Sequence, residues 1–166
     1  DSLITAEPVN PRDAARLLIT PSPACGGGSG RKNFQDATVR DLPQFLKSGD
    51  VMVFNDTRVI PARLFGRRRD AKVEILLHKP ASAAQGRWRC FAKPAKRLSP
   101  RDRVDFAEDF VAVVVEKLPG GEGGLQFQED AAGMKEKLDR YGHMPLPPYI
   151  SRPDAPADRE RYQTVY

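Results

Sequence analysis

The residues best suited to chemistry fall into two segments of this 166-residue chain. The first is Asn55-Asp56-Thr57-Arg58, which directly follows a short apolar run. Asp56 could take up a proton or hold a sugar hydroxyl, and Arg58 could bind a phosphate or a carboxylate. In the alternative interpretation, Asn55 and Asp56 only form a turn in which their side chains bind the local backbone. The sequence leaves both interpretations open.

The second segment begins at Gly142 and contains four prolines within positions 145–153. Proline density of this kind predicts an extended, stiff chain rather than a helix or a central strand. His143 in this segment could act as a general acid or base, or it could be a hydrogen-bonded histidine that braces the proline turn. Tyr149 and Arg152 could stack against or grip a nucleotide, although a tyrosine packed on proline is equally ordinary.

Positive charge is concentrated in one part of the chain. Residues 63–103 contain 13 Lys and Arg but only three acids, a net charge of +10, so the remainder of the chain carries −5. A basic block in an otherwise acidic chain is typical of a protein that docks a polyanion, and a solvated arginine-rich face is the alternative. Lys93, Lys96 and Arg97 are the clearest candidates for phosphate contacts.

The elements that must position these residues are mostly strands. Between residues 62 and 129 the pattern predicts six short strands separated by turn-forming residues, with no helix among them. They cover residues 62–68, 72–79, 87–93, 103–106, 110–116 and 124–128. Closely spaced strands without helices favour a closed barrel, in which no sheet edge stays exposed. Gly66 is a candidate for a β-bulge.

The flanking segments mix helices and strands. A strand is predicted over 14–19, a glycine-rich loop over 21–30, a helix over 39–47 and a short buried strand over 51–54. An amphipathic helix is predicted over 130–141, with Asp130 as its N-cap and Met134, Leu138 and Tyr141 as its apolar stripe. Gly142 is a natural residue to end it. Residues 162–166 form an apolar, strand-like run.

Composition excludes several classes of protein. With 40% hydrophobic and 30% charged residues the chain is globular, and no apolar run approaches the ~18 residues of a membrane helix. The first residues lack the basic start and apolar core of a signal peptide. Cys25 and Cys90 stand far apart without zinc-ligand spacing, which argues against a disulfide framework or a metal site and suggests the cytosol.

Several blocks of the chain resemble one family. They are 53–66, 142–152 and 158–166, together with 11–13, 16–17 and 93–97. Taken in their order along the chain, these blocks closely resemble the S-adenosylmethionine:tRNA ribosyltransferase-isomerases of queuosine biosynthesis. Only the glycine-rich stretch at 24–30 departs from that pattern. The resemblance implies that the chain corresponds to the N-terminal half of such an enzyme.

The resemblance also implies a fold and a reaction. The fold is an α/β domain, partial here, with an inserted six-stranded β-barrel: residues 1–61 begin the α/β domain, 62–129 form the barrel and 130–166 return to the α/β domain. The reaction moves the ribosyl portion of S-adenosylmethionine onto 7-aminomethyl-7-deazaguanine at the tRNA wobble position. Loss of a proton beside the sulfonium gives an ylide that attacks the base, and epoxyqueuosine, adenine and methionine result.

Site residues follow from the same resemblance. S-adenosylmethionine would be the substrate, the tRNA anticodon stem-loop the partner, and the enzyme a cytoplasmic one without metal or membrane association. Asp56 and His143 are the candidates for catalysis, and Lys93, Lys96 and Arg97 those for tRNA contact. The candidates for substrate binding are Asn55, Asp56, Arg58, Arg63, Tyr149, Arg152, Asp158, Tyr162 and Gln163, of which Gln163 is suited to reading a base edge. A non-catalytic RNA-binding barrel is the alternative.

Overall fold

The computed structural model describes residues 5, 7–20, 34–82 and 86–163, and the chain divides into two compact units. The larger unit runs from Arg58 to Gln163, and the smaller unit contains the described residues up to Thr57. The glycine-rich loop predicted over 21–30, which includes Cys25, lies outside the described residues.

The smaller unit contains one antiparallel pair of strands, β1 (Arg16–Ile19) and β2 (Gln35–Thr38). β1 confirms the strand predicted over 14–19. The helix predicted over 39–47 is instead a 3₁₀ helix, Val39–Phe45. Pro43 lies inside it and has no backbone N–H to donate to an α-helical ladder, which favours the tighter, shorter form.

The prediction of a buried strand over 51–54 was wrong. No strand forms there, and Val51 and Val53 are 86% and 92% exposed. An apolar run becomes a buried strand only where neighbouring strands satisfy its backbone groups. None of the described strands pairs with this segment.

The larger unit is built on the six-stranded barrel that the sequence predicts. All neighbouring strands are antiparallel, and the ring closes in the order β3-β4-β5-β8-β7-β6. The strands are β3 (Arg63–Arg68), β4 (Ala71–Ser82), β5 (Arg87–Lys93), β6 (Arg103–Ala107), β7 (Phe110–Lys117) and β8 (Glu122–Phe127). The mostly β architecture and the closed barrel are confirmed, whereas the α/β character of the flanking segments stays a prediction.

Alternating side chains fill the barrel. Leu64, Ile75 and Phe110 are fully buried, and the rings of Phe110 and Phe127 lie 5.2 Å apart. Gly66 forms no bulge, because it pairs in regular register with Val73. Its lack of a side chain has another cause: a Cβ at this position would lie 2.7 Å from the ring of Phe106.

Helix α1 (Ala131–Tyr141) confirms the amphipathic helix. The carboxylate of Asp130 accepts a hydrogen bond from the backbone N–H of Gly133 (2.8 Å), and Met134 and Leu138 are buried in the barrel's core cluster. Gly142 ends the helix with a φ of −82°, so no left-handed conformation is involved. A Cβ there would lie 2.0 Å from the carbonyl oxygen of Pro61, so the close approach of two backbones requires glycine.

The prediction of a strand-like run over 162–166 was also wrong for residues 162 and 163, the part of this range that the structure describes. The chain forms a one-turn helix, α2 (Asp158–Arg161), whose last turn includes Tyr162, and residues 164–166 lie outside the described residues. The backbone N–H groups of Arg161 and Tyr162 donate to the carbonyls of Ala157 and Asp158 (both 3.0 Å), so local helical hydrogen bonds form here instead of strand pairing. The described helices are all too short or too polar to span a bilayer.

Candidate functional site

The proline-rich segment is fixed to the barrel at the start of β3. The backbone N–H of Arg63 donates to the carbonyl of His143 (3.1 Å), and that of His143 donates back to Arg63 (2.8 Å). The guanidinium of Arg63 also donates to the carbonyl of Leu146 (3.1 Å). Arg63, predicted to bind substrate, therefore holds this segment in place.

Apolar side chains of the proline-rich segment form a small buried cluster. Met144, Leu146 and Ile150 are buried, and Val59 and Tyr162 pack against them. Tyr162, another candidate for substrate binding, thus contributes its ring to packing. Tyr149 stands apart and is 62% exposed.

His143 and Asp154 form a hydrogen-bonded pair. Nδ1 of His143 lies 2.8 Å from Oδ1 of Asp154, whose Oδ2 accepts the backbone N–H of Met144 (3.0 Å). The ring of Phe65 meets the imidazole edge-on with centroids 5.0 Å apart. Because a carboxylate accepts hydrogen bonds, Nδ1 carries the proton of this bond, and Nε2 is left with a lone pair in the neutral ring. With the side chain 44% exposed, this nitrogen is suited to proton transfer.

Arg152 and Asp158 bind each other. Two guanidinium nitrogens of Arg152 donate to the two carboxylate oxygens of Asp158 at 2.7 and 2.8 Å, and the backbone N–H of Ala155 donates to the same carboxylate. Asp158 is fully buried, and the hydrogen bonds from Arg152 lower the pKa of its carboxyl to about 2. This ion pair ties the end of the proline-rich segment to α2.

The side-chain amide of Gln163 lies against the backbone of Val59. Its oxygen accepts from the N–H of Val59 and its nitrogen donates to the carbonyl, both at 2.9 Å. The amide group that was expected to read a base edge is therefore hydrogen-bonded to the chain's own backbone. This contact holds residues 59 and 163 together.

A cleft of about 430 Å³ lies within the larger unit, between β5, α1 and the chain around residue 60. Trp88, Met134 and Met144 contribute apolar surface to its walls. The charged and amide side chains that also line it are Arg58, Lys135, Asp139, Arg159 and Gln163, and the carboxylate of Asp139 lies 3.9 Å from Arg159. Of the predicted binding residues, Arg58 and Gln163 therefore meet here. An apolar cavity with cations at its wall suits a ligand with a flat, weakly polar part and an anionic group.

Asn55 and Asp56 belong to the smaller unit, and both are exposed. The side-chain oxygen of Asn55 accepts from the N–H of Thr57 (3.0 Å) and from its hydroxyl (2.6 Å). This is the geometry of the local turn that the sequence allowed as the alternative to ligand binding.

The three candidates for phosphate contact form one exposed group. Lys93 ends β5, and Lys96 and Arg97 lie in the single 3₁₀ turn Ala95–Arg97 that follows. Their closeness along the chain makes this group readable from the sequence.

Asp154 is the site residue that sequence reasoning missed. It lies in the same proline-rich segment as His143, so an acid near a candidate base was visible. The fold of the segment that brings the two side chains together was not, since it depends on the backbone bond of His143 to Arg63. No cluster of metal-ligating side chains occurs among the described residues.

Fold and site together define a β-barrel protein with a cationic surface and an accessible histidine–carboxylate pair at the barrel's edge. The family described as queuosine biosynthesis protein matches residues 1–166, and the chain belongs to this family.

The chain is also similar to curated enzymes with a named activity. The chain is 48% identical over 164 residues to the S-adenosylmethionine:tRNA ribosyltransferase-isomerase of Rhodospirillum rubrum, covering 99% of this chain and 44% of the relative. The enzyme of the same name from Parvibaculum lavamentivorans is 42% identical over 172 residues, covering 100% of this chain and 47% of the relative. The chain thus spans about half the length of these curated relatives.

A solved structure is also similar. The crystal structure of the S-adenosylmethionine tRNA ribosyltransferase of Thermotoga maritima matches with 32% sequence identity and a TM-score of 0.43. The match covers 82% of this chain and 45% of that one.

Proposed function

We propose that this chain is the N-terminal part of an S-adenosylmethionine:tRNA ribosyltransferase-isomerase. The observation that carries the proposal is the 48% identity to such an enzyme across 99% of the chain. The reaction transfers the ribosyl portion of S-adenosylmethionine to 7-aminomethyl-7-deazaguanine in tRNA, and adenine and methionine leave. Its products are a tRNA bearing epoxyqueuosine and these two small molecules.

His143 is the group we assign to proton transfer. The reaction requires removal of a proton from the carbon beside the sulfonium and relief of charge on two leaving groups. A neutral imidazole with Nδ1 bonded to Asp154 offers Nε2 as a base and, once protonated, as an acid. Asp56 remains a second candidate for this role, because its carboxylate is exposed at the end of the smaller unit.

The cleft beside Met144 is the site we assign to S-adenosylmethionine. Its volume of about 430 Å³ suits a small-molecule ligand. Arg58 at its wall can bind the carboxylate of the methionine portion, and Trp88 offers a ring for adenine. Met144, the residue after His143, lines this cleft, whereas the imidazole of His143 contacts Phe65 and Asp154 outside its lining. Lys93, Lys96 and Arg97 would bind tRNA phosphates.

The direct test is the complete reaction. The full-length protein that contains this chain is incubated with S-adenosylmethionine and tRNA that carries 7-aminomethyl-7-deazaguanine, and the tRNA is digested to nucleosides for mass spectrometry. Epoxyqueuosine should accumulate with stoichiometric adenine. Neither product should form with tRNA that still has guanine at the wobble position, and absence of both from the modified tRNA would reject the proposal.

A non-catalytic RNA-binding barrel is the second candidate. One observation favours it: the barrel closes within residues 63–127, so the candidate RNA-binding surface needs no other part of the chain. Calorimetry separates the candidates. Binding of both tRNA and S-adenosylmethionine supports the enzyme, whereas salt-dependent tRNA binding without S-adenosylmethionine binding supports the binding module.

A further inference from the structure

Two large aromatic side chains stand exposed on one side of the barrel. Phe65 on β3 is 52% exposed, and Phe91 on β5 is 45% exposed. β4 pairs with both strands, and Glu74 lies between Phe65 and Lys93 across the sheet while Leu76 lies opposite Phe91. We call the outward side of β3, β4 and β5 around these two phenylalanines the aromatic face.

Neighbouring rings hold both phenylalanines. The imidazole of His78 stacks on Phe91 with centroids 4.8 Å apart and an interplanar angle of 26°. The imidazole of His143 meets Phe65 edge-on at 5.0 Å. Each exposed ring is therefore buttressed on one side and open on another, which suits a flat ligand that stacks without reordering the site.

Cations surround the aromatic face. Arg67 and Lys72 are exposed cross-strand partners at one end of β3 and β4, and Lys93 lies two residues beyond Phe91 on the same side of β5. The acids on this side are paired. Glu74 lies 3.2 Å from Arg63, and Glu122 lies 3.6 Å from Arg89 and 3.4 Å from His78. Exposed rings bordered by unbalanced positive charge favour a polyanion with aromatic groups over an apolar protein partner.

We propose that the aromatic face is a stacking platform for unpaired RNA bases, with one base on Phe65 and another on Phe91. The inference rests on the proposed function, for which it names the surface that receives the loop of the tRNA. Phe65 and Phe91 lie two strands and two residues apart, a separation of roughly 12 Å from strand spacing and rise. Stacked nucleotides in a helix rise only about 3.4 Å, so the two rings suit bases splayed out of a loop.

The platform also connects two parts of the site. Phe65 contacts His143, so a base stacked on Phe65 would lie beside the proton-transfer group. Lys93 continues into the turn that carries Lys96 and Arg97, so the phosphates of the same loop would reach those cations.

The test compares ring removal with ring retention. In the full protein, Phe65→Leu and Phe91→Leu remove a ring and keep apolar bulk, whereas Phe65→Tyr and Phe91→Tyr keep the ring. Val113→Ala is the matched control, because Val113 is 41% exposed on β7, which lies across the ring of strands from β4. Fluorescence anisotropy measures binding of an anticodon stem-loop RNA and of the same sequence paired as a duplex, and thermal melting checks each fold.

Each leucine variant should bind the stem-loop roughly 5- to 150-fold more weakly, with duplex binding unchanged, since stacking is lost and phosphate contacts stay. The tyrosine variants and Val113→Ala should bind like wild type. If a leucine variant does not fold, wild-type protein cross-linked by light to 4-thiouridine in the loop supplies the answer, and the cross-linked peptides should contain Phe65 or Phe91.

The failures are distinguishable. Stem-loop binding that survives both leucine substitutions, or cross-links that map elsewhere, would overturn the platform and leave the proposed function standing. Wild-type protein that binds no RNA would overturn the proposed function and the platform with it.

Discussion

Nδ1 of His143 lies 2.8 Å from Oδ1 of Asp154, and the second oxygen of the same carboxylate holds the backbone N–H of Met144 at 3.0 Å. One carboxylate therefore fixes both the imidazole and the backbone that carries it. Because the backbone of His143 also pairs with Arg63, the ring is oriented relative to the barrel before any ligand arrives.

The ion pair of Arg152 with Asp158 should govern stability in acid. The carboxyl of Asp158 has a pKa of about 2 in the folded chain and 3.8 without these contacts. The ion pair therefore stabilises the fold fully above about pH 4, and this stabilisation is lost as the pH falls towards 2. Asp158→Asn removes the negative charge that faces the guanidinium of Arg152. Because the side chain of Arg152 is 27% exposed and also donates to the carbonyl of Pro153, the change should lower the free energy of unfolding by about 2 kcal/mol at pH 7.

Denaturant unfolding of wild type and Asp158→Asn between pH 2 and 7 measures this effect. Asp139→Asn is the control, because Asp139 is exposed and lies 3.9 Å from Arg159. The control should unfold like wild type. A gap between wild type and Asp158→Asn that does not shrink below pH 4 would contradict this assignment.

Gly142→Ala should destabilise the larger unit. The new Cβ would lie 2.0 Å from the carbonyl oxygen of Pro61 and 2.5 Å from that of Leu138, so the backbones must separate at a cost of about 3 kcal/mol. Calorimetric melting measures the effect. Gly133→Ala in α1 meets only side-chain atoms at 3.3–3.4 Å and should change stability by less than about 1 kcal/mol. Equal melting temperatures for the two variants would argue against the close approach.

Cys90 should be inert towards alkylation in the folded protein. Burial, and secondarily the charge of Glu122, raise the pKa of its thiol to about 12, so the thiolate is scarce at neutral pH. Peptide mapping after iodoacetamide treatment should find Cys90 unmodified in native protein and modified in denaturant. Rapid labelling of native Cys90 would mean that the wall of the barrel near Gly123 opens readily.

Removing the basic group should weaken RNA binding uniformly across sequences. The triple change of Lys93, Lys96 and Arg97 to alanine removes up to three phosphate contacts, so the affinity for tRNA should fall and its salt dependence should flatten. Titrations at several salt concentrations measure the slope. Alanine at Arg16, Lys47 and Arg140 removes the same charge elsewhere on the exposed surface and should leave the slope closer to wild type. Unchanged affinity in the first triple variant would reject this RNA contact.

Local patterns predicted the barrel well because its strands alternate and its turns are marked by Gly, Pro and Asp. Residues 87–93 show this best: alternation along the strand puts Phe91 and Cys90 on opposite faces, and they are 45% and 2% exposed. The same local reasoning failed at residues 51–54, where burial depends on a neighbour and not on the run itself.

The site was less readable than the barrel. His143 was visible as a residue type, but its partner Asp154 is selected by the path of a proline-rich segment, which side-chain periodicity does not encode. Arg152, Asp158 and Gln163 were predicted to bind substrate, and that role stays a prediction. In the described structure their side chains bind other parts of the same chain. Sequence spacing cannot separate residues that build a site from residues that touch its ligand.

The most direct test of this account is the turnover number of His143→Gln and Asp154→Asn on tRNA bearing 7-aminomethyl-7-deazaguanine, measured with the dissociation constants of both substrates. We expect kcat to fall by about 10²–10⁴-fold in His143→Gln, less in Asp154→Asn, and no further in the double variant, with both dissociation constants within about twofold of wild type. Glu136→Gln, an exposed change on α1, should turn over normally. Wild-type kcat in His143→Gln would contradict the account.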